Sequence, residues 1–307
     1  MKKNKTNTLL FTTTLTLLSF IFFSCSKDRI ETEKTTMNQY NPVNTYLDTK
    51  KQQEQVFIID STGNGPIVGN QGTKIWTAKQ CLQFPNGDSV TWPFEIRLVE
   101  LYTPKDMIYY QMPTVAAGNI LETAGEIRLR AFKNGTELEI KPGGCGVQIE
   151  MPNAAPQYNH MHVYYGVNTS TYVDWTDNPA SIGVTIFDTT ANGYQALVKK
   201  LGWINCGYQV GNNAGSTLSF TSTTDDLQNV GIFVYFPATK SLMQVYNMSS
   251  GLVPANSNVK IVGIGIDASN QLFDFKYNNQ LINTNTTYPV TLTPTTDPNL
   301  TTYLDGL

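Results

Sequence analysis

The chain is short of charge. Of its 307 residues 15% are charged, against about 25% in ordinary soluble domains. Basic and acidic side chains number 21 and 24, for a net charge of −3. No dense basic patch interleaves with aromatics, which argues against nucleic acid as a partner. Histidine is nearly absent, with His160 and His162 the whole supply. The sequence also lacks Gly-x-Ser-x-Gly, His-Glu-x-x-His and a Walker loop, so none of those catalytic frames is offered. No apolar run reaches the ~20 residues that cross a bilayer as a helix. The longest, residues 9–23 (LLFTTTLTLLSFIFF), stops at Ser24-Cys25.

That stop is informative. Lys2, Lys3 and Lys5 precede the apolar run, and a small residue ends it. A basic start, a short apolar stretch and a small residue before the cut describe a secretory signal. Ser24-Cys25 resembles the lipobox of bacterial lipoproteins, in which the signal is removed before a cysteine that carries the lipid. The resemblance implies a signal peptide over 1–24 and lipidation (palmitate among the chains) at Cys25. One acyl chain anchors marginally and two or more anchor stably, so a multiply acylated Cys25 needs no spanning helix. Ser26-Lys27-Asp28 resembles the Lys-plus-acidic signal that follows the lipidated cysteine in surface-exposed lipoproteins of Bacteroidota. The resemblance implies the outer membrane, lipid-anchored and facing the cell exterior, with a periplasm-facing anchor as the alternative.

About 280 residues remain, enough for one or two domains with a real core. Thr, Asn and Tyr are abundant, and 23 Gly and 15 Pro are spread along the chain, which favours strands and turns. Residues 26–54 are polar and charged, and they read as a tether with a possible short helix near 46–55. From Val56 onward, short strands alternate with turn signals, the pattern of an all-β sandwich. The clearest hairpin is residues 126–140, EIRLRAFKNGTELEI. Asn134-Gly135 is the preferred pair for a two-residue type I′ turn. That turn puts Ile127, Leu129, Ala131, Leu138 and Ile140 on one face. Arg128, Arg130, Glu137 and Glu139 take the other, with Arg130 opposite Glu139. A second run of seven short strands is expected from Ser181 to about Leu281, then a strand and a terminal helix from about Asp297.

Residues 106–131, DMIYYQMPTVAAGNILETAGEIRLRA, are similar to Bacteroidota surface proteins carrying "DMI…TTS.G.LLETGGM…I.A". The matching positions are Asp106, Met107, Ile108, Thr114, Gly118, Leu121, Glu122, Thr123 and Gly125. Gly72-Thr73-Lys74-Ile75, Pro142-Gly143 and Leu201 to Cys206 extend the likeness across most of 56–285. The first half of that family looks like the ZU-type β-sandwich of ankyrins, netrin receptors and zonula-occludens proteins, a scaffold and interaction module. The resemblance implies two tandem β-sandwich domains after the signal peptide and flexible tether. Their expected bounds are 1–24 signal, 25–55 lipidated cysteine and tether, 56–168 ZU-like sandwich, 169–286 second sandwich, and 287–307 terminal strand and helix. It also implies a non-enzymatic role with a surface or outer-membrane protein as partner, and it supplies no cofactor. Cys206 lies in the shared pattern, whereas Cys81 and Cys145 are both departures from it, and a paired gain implies a bridge between them. A glycan-binding or glycan-processing lipoprotein is the alternative. Aromatics on one exposed face with flanking polar residues would favour glycan, and a flat apolar patch would favour protein.

The remaining chemistry is sparse. His160 and His162, two apart in a strand, would share a face and could meet one metal, but no third ligand stands nearby. The residues read better as two half-exposed strand positions flanking an inward Met161, with no metal expected. Asp60 to Gly65 starts like a calcium loop, but position 71 is Gln where the pattern needs an acid. Glu122 and Glu126 are the one imaginable acid–base pair. Glu122 reads better as a structural carboxylate bonding backbone donors before the hairpin. Tyr109, Tyr110, Tyr164, Tyr165, Tyr172 and Trp175 are the aromatics available for stacking on a sugar or a partner.

Overall fold

Period-two alternation governs most of the body. The computed structural model describes residues 36–61, 65–153, 159–169, 172–179, 182–211 and 215–307. Cys25 and the signal segment lie outside them. The fold is all-β: among the described residues, strands are joined by three helices, Asn44–Lys50, Pro104–Tyr110 and Asp297–Asp305.

The largest sheet runs Gln55–Ile59, Phe94–Leu101, Asn119–Lys133, Gly202–Gln209, His162–Asn168, Val173–Thr176, each neighbour antiparallel. One face packs on a second sheet made from Asp188–Thr189, Gly193–Val198, Val147–Pro152, Lys74–Trp76 and Ile67–Val68. Ile96, Leu98, Ile127, Leu129, Ile149 and Tyr194 are buried between them. A third sheet, Ser241–Val245, Gly231–Phe236, Ser257–Ile266, Leu272–Ile282, Thr293–Thr295, is covered on one face by the parallel pair Leu218–Thr221 and Thr286–Pro289. Ile232, Val234, Ile261, Phe220 and Tyr288 form that core. The two free sheet faces then close on each other. Val99, Leu101 and Leu121 come from the first sheet, Phe233, Tyr235, Val262 and Ile264 from the third. The helices fill the space between with Leu47, Met107, Ile108, Leu300 and Leu304. Two sandwiches thus share a middle core, and residues 37–307 make one compact unit.

Two expected boundaries move. The sheets do not divide between residues 168 and 169. Val173–Thr176, Gly193–Val198 and Gly202–Gln209 complete the first sandwich, so the change of sandwich falls after Gln209. Hydrophobic alternation shows which face of a strand is buried and leaves its sheet open, which is why composition could not place this boundary. The expected strand Ser181–Phe187 is, in its described part, irregular apart from an isolated bridge at Ile186. The tether also ends earlier than residue 55. Tyr40, Val43, Tyr46 and Leu47 are buried. Asp225 accepts hydrogen bonds from Asn38 Nδ2 (3.0 Å) and Tyr40 OH (2.7 Å), and Tyr46 OH donates to Asp297 Oδ1 at 2.6 Å. Burial would raise the Asp225 pKa, but these bonds, with those from Thr224 and the Leu292 amide, hold it below the usual carboxylate value.

The hairpin at Asn134-Gly135 keeps its register at Lys133↔Thr136 and Phe132↔Glu137, with both turn residues at positive φ (52° and 80°). Ile127, Leu129, Ala131 and Leu138 are buried on one face as the alternation requires. Beyond Leu138 the returning strand peels away and Glu139–Ile140 pairs with Leu82–Gln83. The reason is competition for the edge: Gly202–Gln209 pairs with Asn119–Lys133 from Leu129 backward. Arg130 consequently meets Glu137 rather than Glu139, with two bonds of 2.8 Å.

Cys81 and Cys145 are joined as a disulfide with Cα atoms 5.1 Å apart, across a sequence separation of 64. Cys206 is a buried free thiol, and burial pushes its pKa well above the ordinary value. Closing a loop of this length restricts the unfolded chain, which predicts a loss of about 2–4 kcal/mol on replacing both Cys81 and Cys145 by Ala. Denaturant titration of the two forms measures it, and equal midpoints under oxidising conditions would refute the contribution.

Candidate functional site

Several carboxyl groups lie deep in the protein, and they act as framework. Glu100 follows Ile96 and Leu98 on the inward face of its strand and is fully buried. Its carboxylate accepts hydrogen bonds from the backbone amides of Gln71 (2.9 Å) and Thr73 (3.0 Å) and from Gln55 Nε2 (2.8 Å). Glu100 is thus a structural carboxylate of the kind expected at Glu122, serving the 71–73 segment instead. Glu126 is also fully buried. It accepts from Asn205 Nδ2 at 3.0 Å, and Asn205 Oδ1 in turn accepts from Thr123 Oγ1 at 3.0 Å. The second Glu126 oxygen has no hydrogen-bond partner among the described residues. Burial pushes the Glu126 carboxyl well above the usual carboxylate range, and the Asn205 bond offsets only part of that. Gly125, at φ +133°, lets Tyr102 lie over this strand; a Cβ there would sit 2.2 Å from the ring.

Glu122 and Glu126 do not form an acid–base pair. They sit four positions apart along one extended strand, roughly 13 Å of backbone rise, and neither carboxyl acts on the other: Glu122 responds to His160 and Lys240, Glu126 to Asn205. Burial raises the Glu122 pKa, opposed by the nearby charges of His160 and Lys240.

The two histidines part company. His160 lies in a turn with its ring edge-on to Tyr208, centroids 4.2 Å apart. His162 begins a strand and its Nδ1 lies 3.0 Å from Asp177 Oδ2. Met161 between them is buried. Among the described residues no group of three or more His, Cys, Asp or Glu side chains is placed to hold a metal ion.

The arrangement best suited to binding lies where an edge strand of each large sheet comes together with helix ends. Val173–Thr176 is the last strand of the first sheet and Ser241–Val245 the first of the third. A cavity of about 480 Å³ lies beside Ser241–Val245, reached from the first sheet by Tyr172, the residue before Val173, and lined by Asn44, Gln111, Gln228, Gln244, Tyr246 and Asn247, among others. Pockets for small ligands run from about 300 to 1,000 Å³.

Local sequence explains the shape. Thr103 caps the helix Pro104–Tyr110, its Oγ1 accepting from the Asp106 amide at 3.1 Å, and Pro104 fits the first turn. Gln111 ends that helix in the left-handed region (φ 52°). Asn247 and Met248 turn back from Tyr246 to Ser249 with φ of 52° and 58°. Non-glycine residues in that region are uncommon and gather at functional sites; here three of them line one cavity. Tyr172 stacks on Tyr246, centroids 5.4 Å apart and planes 28° apart. Burial, with the Tyr172 hydroxyl nearby, raises the Tyr246 pKa. Gln244 Oε1 is buried and accepts no hydrogen bond among the described residues.

Of the aromatics singled out in the sequence, Tyr109, Tyr164, Tyr165 and Trp175 are buried in cores and Tyr110 is half-buried. Tyr172 is exposed, at 37% of its surface. Gln111, Gln244 and Tyr246 carried no signal in the sequence, because their meeting depends on which edges of two sheets adjoin.

No family model matches the chain, and no curated protein matches it. Among solved structures, gamma-CGTase from alkalophilic Bacillus clarkii aligns at 10% identity with a TM-score of 0.19, covering 76% of this chain and 41% of that chain. A likeness that weak carries no argument about fold or activity.

Glu126 generates a pH prediction. Its folded pKa is raised, so above the ordinary carboxylate pKa the native state holds a proton that the unfolded state releases. Stability therefore falls with rising pH until the native carboxyl ionises. Relative to Glu126→Gln, the wild-type protein should lose up to about 1.4 kcal/mol per pH unit over that window. Urea unfolding of both proteins at pH 5 and pH 7 reads the difference. A gap independent of pH would mean that Glu126 is ionised in the fold.

Proposed function

We propose that this chain is a non-enzymatic binding module, held by lipid on Cys25 at the outer face of an outer membrane, and that it takes its ligand in the Tyr172–Tyr246 pocket. The observation that carries this reading is the pocket itself: a stacked aromatic pair and several amides, set by left-handed backbone at Gln111, Asn247 and Met248. Amides and phenols hold a ligand by hydrogen bonding and stacking. Anchoring supports the same reading, since confinement to a surface raises the effective concentration of weak contacts.

A second reading, a protein partner or an outer-membrane assembly, has one observation in its favour. Strand Gln55–Ile59 forms an edge of the largest sheet and leaves Val56 and Ile58 exposed, at 53% and 64%. Edges of that kind accept another strand.

Anchoring is tested in the producing cells. The unaltered protein should incorporate radiolabelled palmitate, fractionate with the outer membrane and be cut by protease added to intact cells. Cys25→Ala should abolish labelling and release the protein. Unchanged labelling would sink the anchor, and protection from external protease would place the body on the inner side. Reproducible protein crosslinks on intact cells would favour the second reading.

A further inference from the structure

The proposed pocket is built without charge. None of its lining residues is acidic or basic, in a chain where charged groups elsewhere form ion pairs such as Lys50–Asp297 and Arg130–Glu137. An ionic ligand entering it would lose hydration and meet no opposite charge, which is costly. A wholly apolar ligand would cover the amides of Gln111, Gln228 and Asn247 and leave them unsatisfied, which is costly as well. What remains is a neutral ligand with many groups that both donate and accept, and with an apolar face for the ring of Tyr172.

Gln244 narrows the class. Its Oε1 is buried in the lining and lacks a donor among the described residues. That oxygen is closed to solvent here, and a ligand that opens the lining to reach it has to bring an O–H or N–H. A proline-rich peptide, which also docks on tyrosines, loses a backbone N–H at every proline and offers Gln244 few donors. A sugar ring supplies hydroxyl donors around its rim and C–H groups on its face. We infer that the Tyr172–Gln244 pocket is a subsite for a neutral carbohydrate, with Tyr172 stacking on one ring and Gln244 accepting from a hydroxyl. This inference rests on the pocket being the binding site, and it names the ligand class that the pocket takes.

The test uses the protein purified from detergent-solubilised membranes. Isothermal titration is run with neutral oligosaccharides (maltohexaose, cellohexaose, mannohexaose and xylohexaose), with heparin as the charged probe and with a polyproline peptide. At least one neutral oligosaccharide should bind. Tyr172→Ala should weaken it about fivefold or more, the scale of a lost aromatic stacking contact. Tyr172→Phe keeps the ring and should retain binding, which separates loss of stacking from loss of fold. Gln244→Leu removes the acceptor and should also weaken binding. The inference is overturned if none of the neutral oligosaccharides binds, if Tyr172→Ala leaves their binding unchanged, or if heparin or polyproline binds in their place. Peptide binding lost in Tyr172→Ala would keep the pocket as the binding site and reject only the carbohydrate. Anchoring and surface crosslinks are read separately, so failure here leaves the membrane-held module testable by itself.

Discussion

The strand Asn119–Lys133 reaches all three cores. Ile120 enters the core of the second sandwich, Leu121 the middle core, and Ile127, Leu129 and Ala131 the first. Its first half is tied to the second sandwich by Thr123 N donating to Thr239 O and by Ser241 Oγ donating to Leu121 O. Its second half lies between Phe94–Leu101 and Gly202–Gln209. At its centre, between these halves, stands the Glu126–Asn205 hydrogen bond. A buried carboxyl there is costly to leave unpaired, and the Asn205 amide meets it where the two strands pair. The bulge at Cys206/Gly207 follows at once, and with it the change of face that turns Leu121, of the same parity as Ile127 and Leu129, from the first core into the middle one. The pairings on both sides, and the attachment of Ser241–Val245, the strand that lines the pocket, are made through this one strand.

The class of fold was legible in the residues because alternation is local. The hairpin at Asn134-Gly135 shows how far this goes: turn pair, apolar face and the first two pairs of the register follow from sequence. The fate of Glu139 does not, because a strand 70 residues later takes the edge. Glu126 makes the same point about burial. It shares parity with Arg128 and Arg130, so alternation reads it as outward. Outward from the first sandwich is inward to the middle core, since Glu126 pairs with Leu101, whose side chain lies in that core. Pattern shows which way a side chain faces, and tertiary packing decides what covers that face.

The same logic explains the tether and the pocket. Residues 36–55 read as polar chain, yet Tyr40, Tyr46 and Leu47 find partners far away in sequence, among them Asp225 and Asp297. Packing this segment brings Asn44 to the pocket rim. Of the aromatics noted from sequence, Tyr172 gains meaning only beside Tyr246, and Gln244 only as an acceptor without a donor. A functional reading of this chain therefore rests on long-range contacts that no short motif announces.

If one strand unites the molecule, the two sandwiches should open together. Native-state hydrogen exchange across a denaturant series tests this directly. The slowly exchanging amides of residues 125–131 and of Gly231–Phe236 should share one opening free energy, equal to that of global unfolding. A third sheet that stays protected after Asn119–Lys133 has opened would contradict the account and show two sandwiches that merely touch.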